Sequence, residues 1–449
     1  MESSKILMTT SFLRISDQPE NHKPKINFDC SKSICVIGQG YIGLPTAAIL
    51  ANRGYKVLGV DVRKEAVDKI NSGKAHIHEP NLDELIEKVV SSGNLRASTT
   101  PERADIFILC VPTPFHGDHS PDLSFVQKAA ESIRPLVQEG AIVILESTSP
   151  PGTTEDVVLK SAIPDHLTPG ESVHVAYCPE RVLPGRILIE CIENDRIIGG
   201  VTEHCAATVA NFYNTFVTGK IHTTTAKAAE MAKLTENAFR DVNIAFANEL
   251  SILSDKLGVS VFEVIRLANC HPRVNILNPG PGVGGHCISV DPWFLVHADP
   301  SLTPLIRTAR EVNDSKPKHV ITEVLSRAHQ FSETFNRLPT IACLGLAYKA
   351  DVDDFRESPS IDVVKGLKNQ YSGSVLACDP YSSTDNINGI DLVDLQNAVT
   401  NADIVVLLTD HKQFLKLSHD LLSQKIIIDP RGLWQQIAPV IDQVAGQAA

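Results

Sequence analysis

Short apolar runs punctuate the first half of the chain at 34–38, 56–61, 106–111, 142–146 and 173–178, each closing in a turn or in polar residues. Helix-length stretches of polar periodicity separate them, the pattern of parallel strands buried on both faces. The second half restarts with runs at 341–345, 375–378, 404–408 and 426–428, and Ala104-Asp105-Ile106 returns as Ala402-Asp403-Ile404. The expected fold is α/β, with two doubly wound parallel-sheet (Rossmann-like) domains. Between them, 226–257 holds no proline or glycine and stops at Gly258. This predicts a central helix of about 32 residues and roughly 48 Å, long enough to join domains and to offer a dimerisation surface. The stretch Asn278-Pro279-Gly280-Pro281-Gly282-Val283-Gly284-Gly285 is too glycine-rich for a regular element. The expected division is a flexible leader at 1–29, a first sheet domain at 30–222, a helical middle at 223–330 and a second sheet domain at 331–449.

Composition narrows the class. Hydrophobic residues make up 43% and charged residues 21%, a globular profile without the apolar run a membrane span requires. The leader lacks a signal peptide's apolar core. A net charge of −12 argues against a broad nucleic-acid surface. The ten cysteines contain no CxxC pair, so reduced thiols, no metal site and a cytoplasmic location are expected.

Gly38-Gln39-Gly40-Tyr41-Ile42-Gly43 follows the first strand and opens an Ala-rich helix, and Asp61 closes the next strand. In that context the glycines admit a pyrophosphate at the helix N-terminus, and Asp61 can bind adenosine ribose hydroxyls; an anion there favours NAD over NADP, with Arg63 as the complication. Thr113 and Thr148 follow two further strand ends, where they either contact a cofactor or cap turns. Cys287, after Gly284-Gly285-His286 and one helical turn before Asp291, is either a buried thiol or a nucleophile. Lys233, Asn237 and Arg240 or Asp241 share one face of the central helix, either a solvated face or part of a site.

Taken together, Gly38 to Pro45, Tyr177-Cys178-Pro179-Glu180-Arg181, Glu230 to Leu250, Gly282 to Asp291 and Gly345-Leu346-Ala347-Tyr348-Lys349 through Asp354-Phe355-Arg356-Glu357-Ser358 resemble the UDP-sugar 6-dehydrogenase family over about 33–435. The resemblance implies two NAD-dependent oxidations of a sugar C6 alcohol to the carboxylate. It implies that Cys287 holds the aldehyde as a thiohemiacetal and then a thioester, and that Lys233 and Asn237 handle protons and oxyanions. Glu180 is implied in thioester hydrolysis, and Asp291 in supporting the water. Gly38, Gly40, Tyr41, Ile42, Gly43, Asp61, Thr113, Thr148 and Arg356 then correspond to NAD contacts. Lys233, Asn237, Arg181, Val182, Arg240, His271, Arg273, Gly284 and Lys349 correspond to sugar-nucleotide contacts, some reaching in from the partner of a homodimer. His286, Val290 and Pro184 depart from the UDP-glucose branch and resemble the branch that oxidises 2-acetamido sugars. The resemblance implies UDP-N-acetyl-D-mannosamine as the substrate and a product that feeds surface polysaccharides. The alternatives are UDP-N-acetylglucosamine, UDP-glucose, or a nucleotide-sugar sensor without catalysis.

Overall fold

The first element to form a frame for chemistry is a line of strand ends. In the computed structural model, which describes residues 31–183 and 185–434, eight strands make one sheet. They are β1 (Ser33–Ile37), β2 (Lys56–Val60), β3 (Leu95–Ser98), β4 (Ile106–Leu109), β5 (Ala141–Leu145), β6 (Val173–Tyr177), β7 (Arg196–Gly200) and β8 (Ile221–Thr225), in the order β3-β2-β1-β4-β5-β6-β7-β8. All neighbours are parallel except β6 and β7. Val60, Ile37, Leu109, Leu145 and Tyr177 lie in register across five strands. Asp61, Gly38, Cys110, Glu146 and Cys178 therefore form a row just past the carboxyl edge, where doubly wound sheets bind ligands. Along β1, Ile34 and Val36 enter one core and Cys35 and Ile37 the other, as burial on both faces requires.

A second parallel sheet has the order β10-β9-β13-β14, from β9 (Ile341–Leu344), β10 (Val375–Cys378), β13 (Ile404–Leu407) and β14 (Ile426–Ile428). The pair β11 (Asn386–Ile387) and β12 (Ile390–Asp391) is a separate antiparallel ribbon. The repeated Ala-Asp-Ile phrase does the same work in both sheets. Asp105 accepts the Ser33 amide at 2.7 Å, and Asp403 accepts the Thr340 amide at 2.9 Å, each tying the start of its strand to the strand alongside.

The central helix, Ala226–Leu257, is capped by Thr225, whose hydroxyl accepts the Ala228 amide, and ends on the left-handed Gly258. It packs along a second 32-residue helix, Pro304–Phe335, and against the short helix Asp291–Ala298. The second long helix carries Pro317 in its interior, which leaves the Asn313 carbonyl without a helical donor. Gly282 of the glycine-rich stretch seats against both Asn313 and Pro317. Between the two helices Arg310 donates to Asp241 at 2.6 Å, Asn313 to Asp241 at 2.8 Å and Asn248 to Asn313 at 2.9 Å, all buried. Asn248 accepts the Gly280 amide at 2.8 Å, so the network holds the loop that leads to Cys287.

Two expected limits fall inside elements: residue 222 in β8 and residue 330 in the second long helix. The expected leader at 1–29, together with Pro184 and 435–449, lies outside the described residues. The nine cysteines among the described residues are free thiols. No helix among those residues is long and apolar enough to cross a membrane.

Candidate active site

The turn after β1 is shaped by close approach. A Cβ on Gly38, at φ +89°, would meet the Cys110 carbonyl oxygen at 2.4 Å, and one on Gly43 would meet the Gly38 oxygen at 1.8 Å. Gly40 has nothing within 4 Å of such an atom and faces open space. That is the cradle a dinucleotide pyrophosphate needs, with the helix Gly43–Asn52 beginning behind it. Asp61 is buried beside the turn and accepts the Gln39 amide at 3.1 Å. The Arg63 guanidinium lies on both of its oxygens, Nε at 3.1 Å and Nη2 at 3.2 Å. Burial alone would raise the Asp61 pKa, but hydrogen bonds from Arg63 and Gln39 outweigh it and hold the carboxyl below its usual range.

Thr113 and Thr148 meet: the Thr113 hydroxyl donates to the Thr148 carbonyl at 2.6 Å. Its proton is thus committed, and its oxygen is left to accept from a ligand. Tyr41 and Ile42 sit on the glycine turn itself. The Arg356 guanidinium lies 5.6 Å from the Tyr41 ring centroid, so a residue from far along the chain reaches the cofactor end. Asp354 fixes it through bonds of 2.8 and 2.6 Å. The residues present fit a dinucleotide.

The second cluster joins the central helix to the glycine-rich loop. Lys233 and Asn237 stand one turn apart, and Asn237 donates to Asp291 at 2.6 Å. The Asp291 amide donates to the Cys287 carbonyl at 2.8 Å, closing the turn that leads from Cys287 into the short helix Asp291–Ala298. Asp291 is 2% exposed, and burial pushes its pKa up to about 6 against the pull of the Lys233 ammonium and the Asn237 hydrogen bond. Cys287 opens to solvent, yet desolvation by the surrounding protein raises its thiol pKa. Asp291 adds to the rise, while Lys233, Arg240 and Arg356 oppose it. His286 is kept neutral by burial and by the nearby Arg356 charge. Gly284 and Gly285 permit the approach: a Cβ on the first would strike the Glu357 carbonyl oxygen at 2.2 Å, and on the second the Tyr348 ring at 2.8 Å.

Glu180 is joined to different partners. Its carboxylate is paired with buried Arg196 at 2.5 Å and accepts the Arg181 amide at 2.8 Å. The Arg181 side chain reaches the central helix, where it meets Glu236 at 2.7 Å. Val182 packs against the first core. Glu79 accepts the Gly185 and Ile187 amides at 2.8 and 2.7 Å and so anchors the loop that carries Glu180. His271, Arg273, Arg240 and Lys349 are exposed side chains. A cavity of about 480 Å³ adjoins the glycine-rich loop at Val283 and Ser289, but it is lined by none of Cys287, Lys233, Asn237 or Asp291. Sequence reasoning passed over Glu146, Arg196, Tyr213, Asp354 and Glu79; an acid directly after an apolar strand was the one available signal for Glu146.

Residues 32–217 match the NAD binding domain of the UDP-glucose/GDP-mannose dehydrogenase family, 227–315 its central domain and 342–436 its UDP binding domain. The chain is 53% identical over 412 residues to the NDP-N-acetyl-D-galactosaminuronic acid dehydrogenase of Ralstonia nicotianae, covering 90% of this chain and 96% of that one. It is 50% identical over 416 residues to the UDP-N-acetyl-D-mannosamine dehydrogenase of Escherichia coli, covering 90% and 99%. Among solved structures, the UDP-N-acetyl-mannosamine dehydrogenase Cap5O from Staphylococcus aureus superposes with a TM-score of 0.79 at 43% identity, over 89% of this chain and 95% of that one.

Proposed function

The chain belongs to the UDP-glucose/GDP-mannose dehydrogenase family, and on that premise we propose that it oxidises the C6 alcohol of UDP-N-acetyl-D-mannosamine to the carboxylate. As a family member it is an NAD-dependent UDP-sugar dehydrogenase. The observation that carries the two-step oxidation is the meeting of Cys287, Lys233, Asn237 and Asp291 at the junction of central helix and glycine-rich loop, and the likeness to UDP-N-acetyl-D-mannosamine dehydrogenases supports the choice of sugar. Bound NAD supplies the hydride acceptor, used once in each of the two oxidations.

The residues supply the rest. As C6 first loses hydride, its hydroxyl proton must leave and negative charge gathers on oxygen; the ammonium of the largely buried Lys233 side chain is assigned to meet that charge. The Cys287 sulfur then bonds to the aldehyde carbon and its proton passes to the oxygen, giving a thiohemiacetal that cannot diffuse away. A second hydride loss, with release of the hydroxyl proton, leaves the thioester. Water adds to the carbonyl, the carbon–sulfur bond breaks and the thiol is restored. Asn237 fixes Asp291 beside this water, and Glu180 takes its proton. Arg181, Val182, Arg240, Gly284 and Lys349 are assigned to the sugar nucleotide.

The central helix exposes Met231, Phe239, Phe246, Leu253 and Leu257, three of them at seven-residue spacing. This stripe supports a homodimer through that helix, with exposed His271 and Arg273 serving the partner's site. The reading includes a cytoplasmic enzyme whose product feeds surface polysaccharides.

The sugar is tested by NADH stoichiometry across UDP-hexoses. We expect two NADH per UDP-N-acetylmannosamine, with UDP-glucose nearly inert and UDP-N-acetylglucosamine far poorer, because an epimer leaves buried polar partners unpaired. The relative named for N-acetylgalactosaminuronic acid favours one further candidate. Higher catalytic efficiency with UDP-N-acetylgalactosamine would replace the sugar and keep the mechanism; a preference for UDP-glucose would sink the 2-acetamido assignment.

For the cofactor we expect NAD to exceed NADP at least tenfold in catalytic efficiency, about 1.4 kcal/mol. With Asp61 assigned to the ribose and its carboxylate held by Arg63, a 2′-phosphate would have to compete with it for that guanidinium. Asp61→Ala should narrow the preference by freeing the guanidinium. Equal efficiencies in the unaltered enzyme would mean that Arg63, and not Asp61, governs the site.

A further inference from the structure

Directly beneath the glycine turn lies a charged cluster that the reaction described above uses only through Glu180. Glu146 follows β5 and is 3% exposed, and Glu180 and Arg196 are 7% and 3% exposed. Arg196 gives Nη1 to Glu180 at 2.5 Å and Nη2 to the Cys191 carbonyl at 2.9 Å. Its Nε has no partner among the described residues. Glu146 makes no hydrogen bond to this guanidinium among those residues; it accepts from the Tyr213 hydroxyl at 2.5 Å and from the Cys110 thiol at 3.2 Å.

The charges facing Glu146 can be counted. Cys110 comes from the end of β4, Glu180 and Cys178 from the loop after β6, Cys191 from the helix Ile187–Glu193, Arg196 from β7 and Tyr213 from the helix Glu203–Tyr213. Burial holds the thiols and the phenol neutral, with Cys178 pushed up to about 12. Two ionised carboxylates against one guanidinium would leave an uncompensated buried charge, which costs more than taking up a proton. Glu180 has the cation in contact; Glu146 does not. Burial, reinforced by the nearness of Glu180, raises the Glu146 pKa despite the opposing pull of Arg196.

We propose that Glu146 and Glu180 form a carboxyl pair sharing one proton, which resides on Glu146 and leaves the Arg196 charge to Glu180. Glu146 is then a positioning residue: by remaining neutral it keeps Glu180 ionised and oriented for its encounter with water. The inference rests on the assignment of Glu180 to thioester hydrolysis.

Infrared difference spectroscopy of the full-length enzyme at neutral pH tests it. Glu146→Gln, isosteric with the protonated acid, should remove one buried carboxylic-acid carbonyl band. Glu180→Gln should remove the same band, because Arg196 then neutralises Glu146 alone. A spectrum of Glu146→Gln that lacks no band overturns the proposal; so does a band lost in Glu146→Gln but kept in Glu180→Gln, which would mean that Glu146 is protonated by burial alone. Tyr213→Phe covers the case in which Glu146→Gln does not fold: the band should shift on losing a hydrogen-bond donor, and an unmoved band counts against Glu146 as its source. In single-turnover acid formation, the pH profile of Glu146→Gln should carry one titration fewer than that of the unaltered enzyme, and superimposable profiles count against the pair. Should Glu180→Gln form acid at the unaltered rate, the role of Glu180 in hydrolysis fails, while the infrared result still decides on the pair.

Discussion

Cys287→Ala is expected to abolish acid formation, lowering its rate at least about 10³-fold, as loss of a covalent nucleophile commonly does. The thiol lies where its chemistry can be regulated. Burial and Asp291 raise its pKa, so it rests protonated at neutral pH, while Lys233, Arg240 and Arg356 pull in the other direction. On the proposed mechanism, an aldehyde arriving here meets a thiol whose conversion to thiolate the Lys233, Arg240 and Arg356 charges favour. On that mechanism, nothing else holds the aldehyde between the two oxidations. The substitution is also a clean one: the Cys287 side chain belongs to no hydrophobic core and makes no hydrogen bond among the described residues, whereas its carbonyl, which accepts from Val290 and Asp291, is untouched. The variant should therefore unfold at nearly the same temperature and bind NAD as before. Product analysis by mass spectrometry decides the matter, and acid at a near-normal rate would remove Cys287 from the mechanism.

Much of this site was legible because its parts are local. The glycine turn and Asp61 are separated by one helix and one strand, and their spacing alone places them at a common edge. Lys233 and Asn237 are one helical turn apart, as are Cys287 and Asp291, so each pair could be read from the chain even though only the fold brings the pairs together. The strands of the two central sheets announced themselves as apolar runs, but β3, β7 and β8 did not. They are short or lie at the sheet's margins, with exposed residues in β3 and β8 and two glycines closing β7. Missing β7 hid Arg196, and with it the partner of Glu180. Its antiparallel pairing with β6 has no local signature. The second long helix was hidden by Pro317, which reads as a breaker until Gly282 is seen packing at the interruption. Glu146 looked like an ordinary polar end of a strand. Only the register of five strands places it in a row with Cys110 and Cys178, away from water.

Lys233→Ala should cost about 10²–10³-fold in turnover, the 2.7–4 kcal/mol typical of a lost oxyanion donor. Lys233 is 9% exposed, its ammonium has no hydrogen-bond partner among the described residues, and the Asp291 carboxyl and the Cys287 thiol are its ionisable neighbours. The ammonium of this largely buried side chain has no fixed partner to give up, so a developing alkoxide can engage it at the moment of reaction. The loss should thus fall on kcat more than on the KM for UDP-sugar. Two further readouts separate this role from a structural one. Removing the ammonium takes away the largest influence that lowers the Asp291 pKa, so an Asp291 titration near 6 should move upward in the variant. The Cys287 thiol loses a stabilising cation as well, so alkylation by iodoacetamide should slow and its pH dependence should shift to higher pH. Lys233→Arg retains the charge but spreads it over a planar fork that cannot occupy the same point, and should recover the alkylation rate more fully than turnover. Unchanged turnover in Lys233→Ala, with alkylation also unchanged, would return this lysine to a merely structural place on the central helix.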